Sequence, residues 1–557
     1  MVTLSCKPSG LAGRITRIAI SLAIAAVVAG AGAASAKAAT PSAAWSIRTI
    51  AEPTNFAPND SSGTDVYRVL VTNTGSLPSD GSPVTITDTL PGAVSVQSVR
   101  RFEWVNAEEF FSCTKTTSPI QCTFNSMVPA GEVLELDITV ATELGAAGIL
   151  ANTATVTGGG AAEASTTTQN PVSATPAPFR ISDFSFGVDG VDGMPDTQAG
   201  EHPYAVTTSL DFSTRSLPSN LEYHEPAENV KDAVVELPLG LVGNPRAAPR
   251  CPLSKLELDE SASFVQCPAD TKIGEVTLNE PVGFASSLLP NFGGQLITSV
   301  SSLYNLVPEH GHPAEFGFDY AGLATAILYP SIVHTEAGYV LRVTTPNTPS
   351  EFAFPEELGF VSGFSLTLFG DPAKHGGTGE APFFTNPSDC SPGGLTATIH
   401  IDTWTNPATM TNADGTPDFN DPNWLKAESS LPPVAGCDAL QFNPELAVQP
   451  TSARSDFPSG LMVDLKVPQA PSNDAALATP DLKAATVTLP AGMSLSPSSA
   501  NGLQACSPAE IGLDDNSRPT CPDASKIGAV KLDTPLLANP IGGSVYLAEQ
   551  GNNPFGS

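Results

Sequence analysis

The chain has 557 residues and carries 25 Lys and Arg against 57 Asp and Glu, a formal net charge of −32 at pH 7. This charge repels phosphate backbones and anionic lipid surfaces, so nucleic acid is excluded as the expected partner. Only 15% of the residues are charged, whereas the chain has 47 Gly and 52 Pro. This composition is typical of several β-rich modules joined by turns, with few long helices.

The first 36 residues predict a signal peptide. Lys7, Arg14 and Arg17 precede an apolar run over residues 18–32, and Ala34-Ser35-Ala36 has the pattern that signal peptidases cut. The run is shorter than the roughly twenty residues that span a bilayer. An uncleaved N-terminal anchor is the alternative. We predict a secreted or cell-surface protein with no transmembrane anchor in the mature chain.

Residues 45–160 contain segments in which apolar and polar residues alternate, as in strands with one buried face. The clearest segments are Val66–Thr72, Val84–Thr89, Val133–Ala141 and Ala151–Thr157. The stretches "YRVLVTNTGS", "TDTLPG", "VPAGEVLELDITV" and "NTATVTG" in this region resemble DUF11, a repeat of bacterial surface proteins. The resemblance implies an immunoglobulin-like β-sandwich in a stalk or adhesive surface, without catalytic residues.

Residues 161–178 are small, polar and Pro-rich without periodicity, and predict a linker. An acidic, Gly-rich loop with Asp189, Asp192 and Asp196 follows. Carboxylates on a turning backbone are typical calcium ligands, so these three residues form a candidate calcium site. Their spacing is not that of an EF-hand, and a solvated acidic turn is the alternative. A second such loop carries three more aspartates, Asp414, Asp418 and Asp421.

An internal repeat spans the C-terminal half of the chain. "CPADTKIGEV" from Cys267 returns as "CPDASKIGAV" from Cys521, and "VKDAVVELPLGL" from Val230 matches "LKAATVTLPAGM" from Leu482. We predict a first repeat copy over residues 179–290, a β-rich middle domain over 291–440, and a second copy over 441–557 that ends within the repeat. This part is similar to uncharacterised secreted bacterial repeat proteins.

Cysteine usage agrees with export. Beyond the signal, eight cysteines fall in twos along the chain, and an even number outside the cytoplasm predicts disulfides. The expected pairs are Cys113 with Cys122, Cys251 with Cys267, Cys390 with Cys437, and Cys506 with Cys521. No C-x-x-C occurs, which argues against a zinc or thioredoxin-like site. Lys272 and Lys526, next to the repeated cysteines, are expected in water.

Local catalytic motifs are missing. The sequence has no H-E-x-x-H, no G-x-S-x-G and no phosphate loop, and His310-Gly311-His312 has no histidine in the second copy. Phe residues such as Phe316, Phe318 and Phe383 are expected to fill a core, with sugar stacking as the alternative. Paired carboxylates for glycoside hydrolysis leave no local signature and stay open.

We therefore predict an all-β protein made of tandem immunoglobulin-like β-sandwich modules with disulfide-stapled repeats. Its expected role is structural or adhesive and non-catalytic, with cell-surface glycans or other envelope proteins as partners and no cofactor other than calcium. A carbohydrate- or calcium-dependent binding module is the first alternative, and a glycan-acting hydrolase is the second.

Overall fold

A computed structural model describes most of the chain between residues 39 and 549. The described ranges are 39–102, 111–115, 117–217, 220–257, 265–279, 298–320, 324–335, 338–349, 351–353, 358–377, 381–390, 394–412, 415–469, 476–488, 502–512 and 518–549. The predicted signal peptide lies outside them. Strands dominate the described residues, which confirms the all-β class.

The N-terminal part is a two-sheet sandwich. Its strands are β1 (Trp45–Glu52), β2 (Asp65–Asn73), β3 (Val84–Thr89), β4 (Val94–Phe102), β5 (Phe111–Lys115), β6 (Ile120–Phe124), β7 (Val133–Thr142), β8 (Gly148–Gly158) and β9 (Ala161–Val172). One sheet has the order β1-β2-β7-β4 and the other β5-β6-β3-β8-β9. Alternate side chains such as Tyr67, Ile86 and Leu136 are buried between the sheets. The four segments predicted from alternation all form strands.

Strand β9 corrects the prediction of a linker over residues 161–178. Residues Ala161–Val172 pair with β8 along almost its whole length. Hydroxyl side chains meet across the two strands, with Thr153 Oγ1 2.9 Å from Thr167 Oγ1 and Thr155 Oγ1 3.1 Å from Ser165 Oγ. The linker prediction was wrong here because this strand presents small and polar side chains, so its alternation is hidden in the sequence.

The middle of the chain forms one large antiparallel sheet with short accessory hairpins. Its strands are β10 (Ile181–Asp189), β11 (Ala205–Phe212), β12 (Thr214–Leu217), β13 (Asn220–Pro226), β14 (Val230–Glu236), β15 (Val242–Gly243), β16 (Lys272–Asn279), β17 (Thr298–Asn305), β18 (Phe316–Tyr320), β19 (Ala324–Thr335), β20 (Gly338–Thr345), β21 (Glu351–Ala353), β22 (Leu358–Phe360), β23 (Gly363–Phe369), β24 (Phe384–Thr385), β25 (Leu395–Thr403) and β26 (Leu425–Leu431). Helix α1 covers Leu253–Leu256, and 3₁₀ turns cover Ala269–Thr271, Pro372–His375 and Cys437–Ala439.

The large sheet has eleven strands in the order β10-β11-β23-β16-β17-β18-β19-β20-β14-β25-β26. Its two edge strands pack along each other, and the backbone N–H of Phe186 on β10 donates to Ser429 Oγ on β26 at 3.0 Å. The sheet therefore curls into a barrel-like shape around an apolar core. Strands from both sides of residue 290 alternate within it, so the structure does not show the predicted boundary between a unit ending at 290 and a domain starting at 291.

The second repeat copy reproduces the local structure of the first. Its elements are β27 (Glu445–Pro450), β28 (Leu461–Lys466), α2 (Pro508–Ile511), a 3₁₀ turn (Asp523–Ser525), β29 (Lys526–Leu532) and β30 (Ile541–Tyr546). Helices α1 and α2 each follow the first cysteine of a disulfide, and each 3₁₀ turn leads into a strand with a bulge at Lys-Ile-Gly. Cys251 N–H donates to Asn305 O and Cys506 N–H donates to Leu547 O, both at 2.8 Å. The sequence repeat is thus a structural repeat.

Gly274 permits the close approach of β23 to β16. A Cβ atom at Gly274 would lie 2.3 Å from the carbonyl oxygen of Thr367, whereas a Cβ at the equivalent Gly528 would come no closer than 3.4 Å, to Val545 Cβ. We expect Gly274→Ala to destabilise the large sheet by about 1–3 kcal/mol, the usual cost of overpacking. The matched Gly528→Ala should change stability by less than about 0.5 kcal/mol. Urea unfolding and amide exchange in β23 measure both effects, and equal responses would contradict the steric account.

Candidate functional site

The predicted calcium ligands lie in the loop between β10 and β11. Asp189 ends β10, and the loop turns back so that Tyr204 N–H donates to Asp189 O at 2.8 Å. Asp192 Oδ1 accepts from Met194 N–H and Asp196 Oδ1 accepts from Gln198 N–H, both at 3.1 Å. Two of the three carboxylates are therefore engaged in turns of their own backbone.

Asp189 and Asp196 line a common cavity of about 220 Å³ together with Asn386. Burial, reinforced by the charges of Asp196 and Asp192, raises the pKa of Asp189 to about 6. Burial, with a contribution from Glu201, raises the pKa of Asp196 to about 6 as well. Negative charge is therefore unfavourable in this cavity, and a proton or another cation relieves it.

The three carboxylates do not form a closed ligand set. In the described ranges, no three His, Cys, Asp or Glu side chains lie close enough together to hold a metal ion. In the second acidic loop Asp414 lies outside the described residues, and Asp421 accepts backbone N–H groups from Thr409, Met410 and Asn423 at 2.8–3.0 Å. These hydrogen bonds lower the pKa of Asp421. Asp421 is thus a turn-stabilising residue.

A larger apolar cavity of about 380 Å³ lies inside the curled sheet. Side chains from β11, β14, β20 and β23 line it, among them Val206, Val235, Leu341, Val343 and Leu366. The loop between β29 and β30 also contributes to the lining through Leu536 and Leu537, which are half-buried. Arg246 Nη1 donates to Pro535 O at 3.1 Å and to Leu537 O at 3.3 Å. Sequence reasoning missed this cavity because strands far apart in the chain enclose it.

A buried charge cluster, also missed from the sequence, lies between the sandwich and the β12–β13 hairpin. Arg68 on β2 is fully buried and lies 3.4 Å from Glu52, 3.2 Å from Glu135 and 3.5 Å from Asp137. His224 of β13 covers the cluster, with its Nδ1 3.9 Å from Glu52 Oε2. Burial acts to lower the pKa of Arg68, but the three carboxylates raise it above its ordinary value. The ionised guanidinium is therefore the form that the cluster requires.

The cysteines form disulfides, and the repeat lysines lie at or near the surface. The four disulfides join Cys113 to Cys122, Cys251 to Cys267, Cys390 to Cys437 and Cys506 to Cys521, the pairs expected from their spacing. Lys272 Nζ lies 2.7 Å from Glu275 Oε1, and Lys526 is exposed. The expectation of a position in water is met by Lys526, whereas Lys272 is half-buried in its ion pair with Glu275.

The histidines and phenylalanines noted in the sequence differ in exposure. His310 and His312 lie in an exposed turn, and the ring of His312 contacts Tyr329 with 4.6 Å between centroids. Phe316, Phe318 and Phe383 are buried in the core of the large sheet, as expected of core-filling residues.

Comparison with known proteins yields neither a matching family model nor a matching curated protein. The DUF11 resemblance therefore stays a prediction. Among solved structures, the major pilin subunit of Bacillus cereus is 11% identical, with a TM-score of 0.19, over 32% of this chain and 62% of the pilin. The C-terminal domain of the Streptococcus pyogenes antigen I/II-family protein AspA is 8% identical, with a TM-score of 0.18, over 70% and 99% of the two chains.

The Enterococcus faecalis MSCRAMM ACE, which binds its ligands by a collagen hug, is 10% identical with a TM-score of 0.16, over 70% of this chain and 94% of that one. Likeness at this level carries no argument about function. The all-β fold rests on the strand pairing of this chain itself. No helix among the residues with described structure is long and apolar enough to cross a membrane.

The cavity carboxylates make a pH-dependent prediction. Their folded pKa of about 6 lies above the ordinary value of 3.8, so the folded state favours the protonated acids. Their contribution to stability is then lost as pH rises from about 4 to above 6. We expect Asp189→Asn with Asp196→Asn to raise the melting temperature at pH 8 by a few degrees and to have little effect at pH 4. Asp523→Asn, at an exposed site, is the control. A difference in melting temperature between the double variant and the wild type that stays the same at pH 4 and pH 8 would contradict this explanation.

The charge cluster makes a second prediction. Arg68→Leu removes the cation between three buried carboxylates and should destabilise the sandwich by about 3–5 kcal/mol. Arg100→Leu removes a partner of the same Asp137, at 3.6 Å, but from a side chain that is 43% exposed. It should cost less than about 1 kcal/mol. Denaturant unfolding followed by tryptophan fluorescence measures both, and similar losses of stability would show that burial of the charge is not the cause.

Proposed function

We propose that this chain is an exported, non-catalytic structural or adhesive protein of the cell surface or extracellular space. The observation that carries the proposal is the pairing of all eight cysteines beyond the predicted signal into four disulfides. Disulfides persist in oxidising compartments and are rare in the cytosol. Three of them close loops of 9 to 16 residues and the fourth joins cysteines 47 residues apart, which suits a protein that must stay folded outside the cell.

Exposed apolar side chains support an adhesive role. One face of the hairpin β27–β28 carries Leu446, Val463 and Leu465 at 53%, 44% and 36% exposure. Contiguous apolar surface of this kind, rimmed by polar residues, is typical of protein-binding surfaces. Other envelope proteins or cell-surface glycans are the proposed partners, with contacts spread over strand surfaces.

The test uses the mature chain from Lys37, purified from an exporting host. Intact mass with and without reductant should show four disulfides and no free thiol, and four or more free thiols would overturn the export proposal. Binding of the native protein to arrayed envelope proteins and glycans should be saturable and should be lost after reduction and alkylation. Absence of binding to every arrayed protein and glycan would contradict the adhesive role.

A calcium-dependent binding module is the second candidate, favoured by the shared cavity of Asp189 and Asp196. If calcium binds there, millimolar calcium chloride should raise the melting temperature of the wild type and leave the doubly substituted variant unchanged. A melting temperature indifferent to both calcium and chelator removes this candidate. The same two carboxylates are the residues to test for glycan hydrolysis, by release of reducing ends from a polysaccharide panel, where we expect no release.

A further inference from the structure

The larger apolar cavity lies between two walls of the curled sheet. Strands β11 and β23 are neighbours, as are β14 and β20, and strands β16 to β19 separate the two pairs in the sheet order. Both pairs nevertheless line the same cavity of about 380 Å³. The sheet therefore turns back on itself here, and its inner faces leave a space between them. All four strands end by Phe369, so these walls do not depend on the second repeat copy.

The wall formed by β11 and β23 is apolar on its inner side. Val206 in β11 and Leu366 and Leu368 in β23 line the cavity. Thr207 and Thr367 lie at the positions in between, and their hydroxyl oxygens meet across the strands at 3.1 Å. Because alternate residues of a strand face opposite sides of a sheet, the hydroxyl groups lie on the outer side and the aliphatic groups on the inner side.

The wall formed by β14 and β20 has the same division. Val235 pairs with Val343 across the two strands, and both line the cavity together with Leu341. Glu236 and Arg342 occupy the alternate positions and form an ion pair at 2.5 Å. The charged side chains of this wall are therefore on its outer side.

The interior of the cavity offers little to water. Among the described residues that line it, none carries a charge, and the polar ones are hydroxyl residues. Ser331 Oγ donates to Arg342 O at 3.4 Å, and Thr534 Oγ1 accepts from Leu536 N–H at 3.3 Å. A buried water needs several polar partners, whereas an apolar cavity stays dry and takes up apolar molecules. An unfilled cavity also destabilises a protein increasingly with its volume, so an apolar occupant is favoured.

We propose that this cavity binds the acyl chain of a fatty acid or a glycerolipid. Its lining follows β14 from Ala233 to Leu237 and β20 from Leu341 to Thr345. The cavity therefore extends for roughly 13 Å along the strands, at about 3.3 Å per residue. An elongated cavity of about 380 Å³ suits an extended hydrocarbon chain. Clefts of this size with a mainly apolar lining are typical small-molecule sites, and they occur in curled and closed sheets.

The polar head group of such a ligand would lie outside the cavity. Ile332 of β19 lines the cavity and is also 67% exposed, so the lining continues to the protein surface at this strand. A head group placed there stays in water, which avoids the cost of burying it among uncharged side chains. The net charge of −32 favours a neutral head group over a carboxylate.

Fluorescence titration with N-phenyl-1-naphthylamine, an uncharged apolar probe, tests the proposal on the mature chain after copurified lipid has been removed on a hydrophobic resin. We expect saturable binding at one site per chain and displacement of the probe by palmitate or monopalmitoylglycerol. The lipid that displaces it at the lower concentration identifies the source of the acyl chain. Absence of saturable binding, or a bound probe that neither lipid displaces, would overturn the proposal.

A matched pair of variants locates the site. Val343→Trp fills the cavity from β20 and should weaken probe binding roughly tenfold or more. Thr344 is half-buried like Val343 but lies on the other side of the strand, so Thr344→Trp should bind the probe as the wild type does. Equal affinity of the two folded variants would contradict the proposal.

Hydrogen exchange of the wild type locates the site without a substitution, and it decides the question if Val343→Trp does not fold. Monopalmitoylglycerol should slow amide exchange in β14 and β20, and slowing confined to other strands would overturn the proposal. These assays report a small-molecule site whether or not the mature protein adheres to envelope components. This inference and the proposed function therefore fail separately.

Discussion

The pairing of β23 with both β11 and β16 holds the middle of this protein together. These three strands come from distant parts of the chain, so the sheet forms only after long segments have been brought together. The close contacts demand glycine: a side chain at Gly363 would meet Asp211 Oδ1 at 2.3 Å, and one at Gly274 would meet Thr367 O at 2.3 Å. Through this strand, the predicted repeat unit and the predicted middle domain become one curled sheet.

A second constraint is electrostatic and lies where the sandwich meets that sheet. The face of β2 that carries Arg68 would be the solvent side of an isolated sandwich, yet His224 and the β12–β13 hairpin cover it. Arg48 adds an ion pair across the same junction, 2.9 Å from Asp211. A buried charge that loses its partner is strongly destabilising, so the junction favours one arrangement of the sandwich against the large sheet.

The acidic side chains lie in two different kinds of environment in the structure. Some carboxylates cap turns, as Asp421 does by accepting three backbone N–H groups. Others, such as Asp189 and Asp196, are buried in a cavity where their charge is unfavourable. The two cavities also differ in chemistry, since the larger one is lined by Leu, Val and Phe, including leucines from a loop of the second repeat copy.

Local patterns in the sequence determined the features that depend on neighbours along the chain. Alternation identified β2, β3, β7 and β8, and short spacings identified three of the four disulfide pairs, because strand faces and small loops are properties of a few consecutive residues. The repeat was visible for the same reason. Alternation failed at β9, where both faces carry small or polar side chains. Only the tertiary structure decided that β23 enters between β11 and β16 and that Arg68 is buried among three acids, because both depend on which distant strands pack side by side.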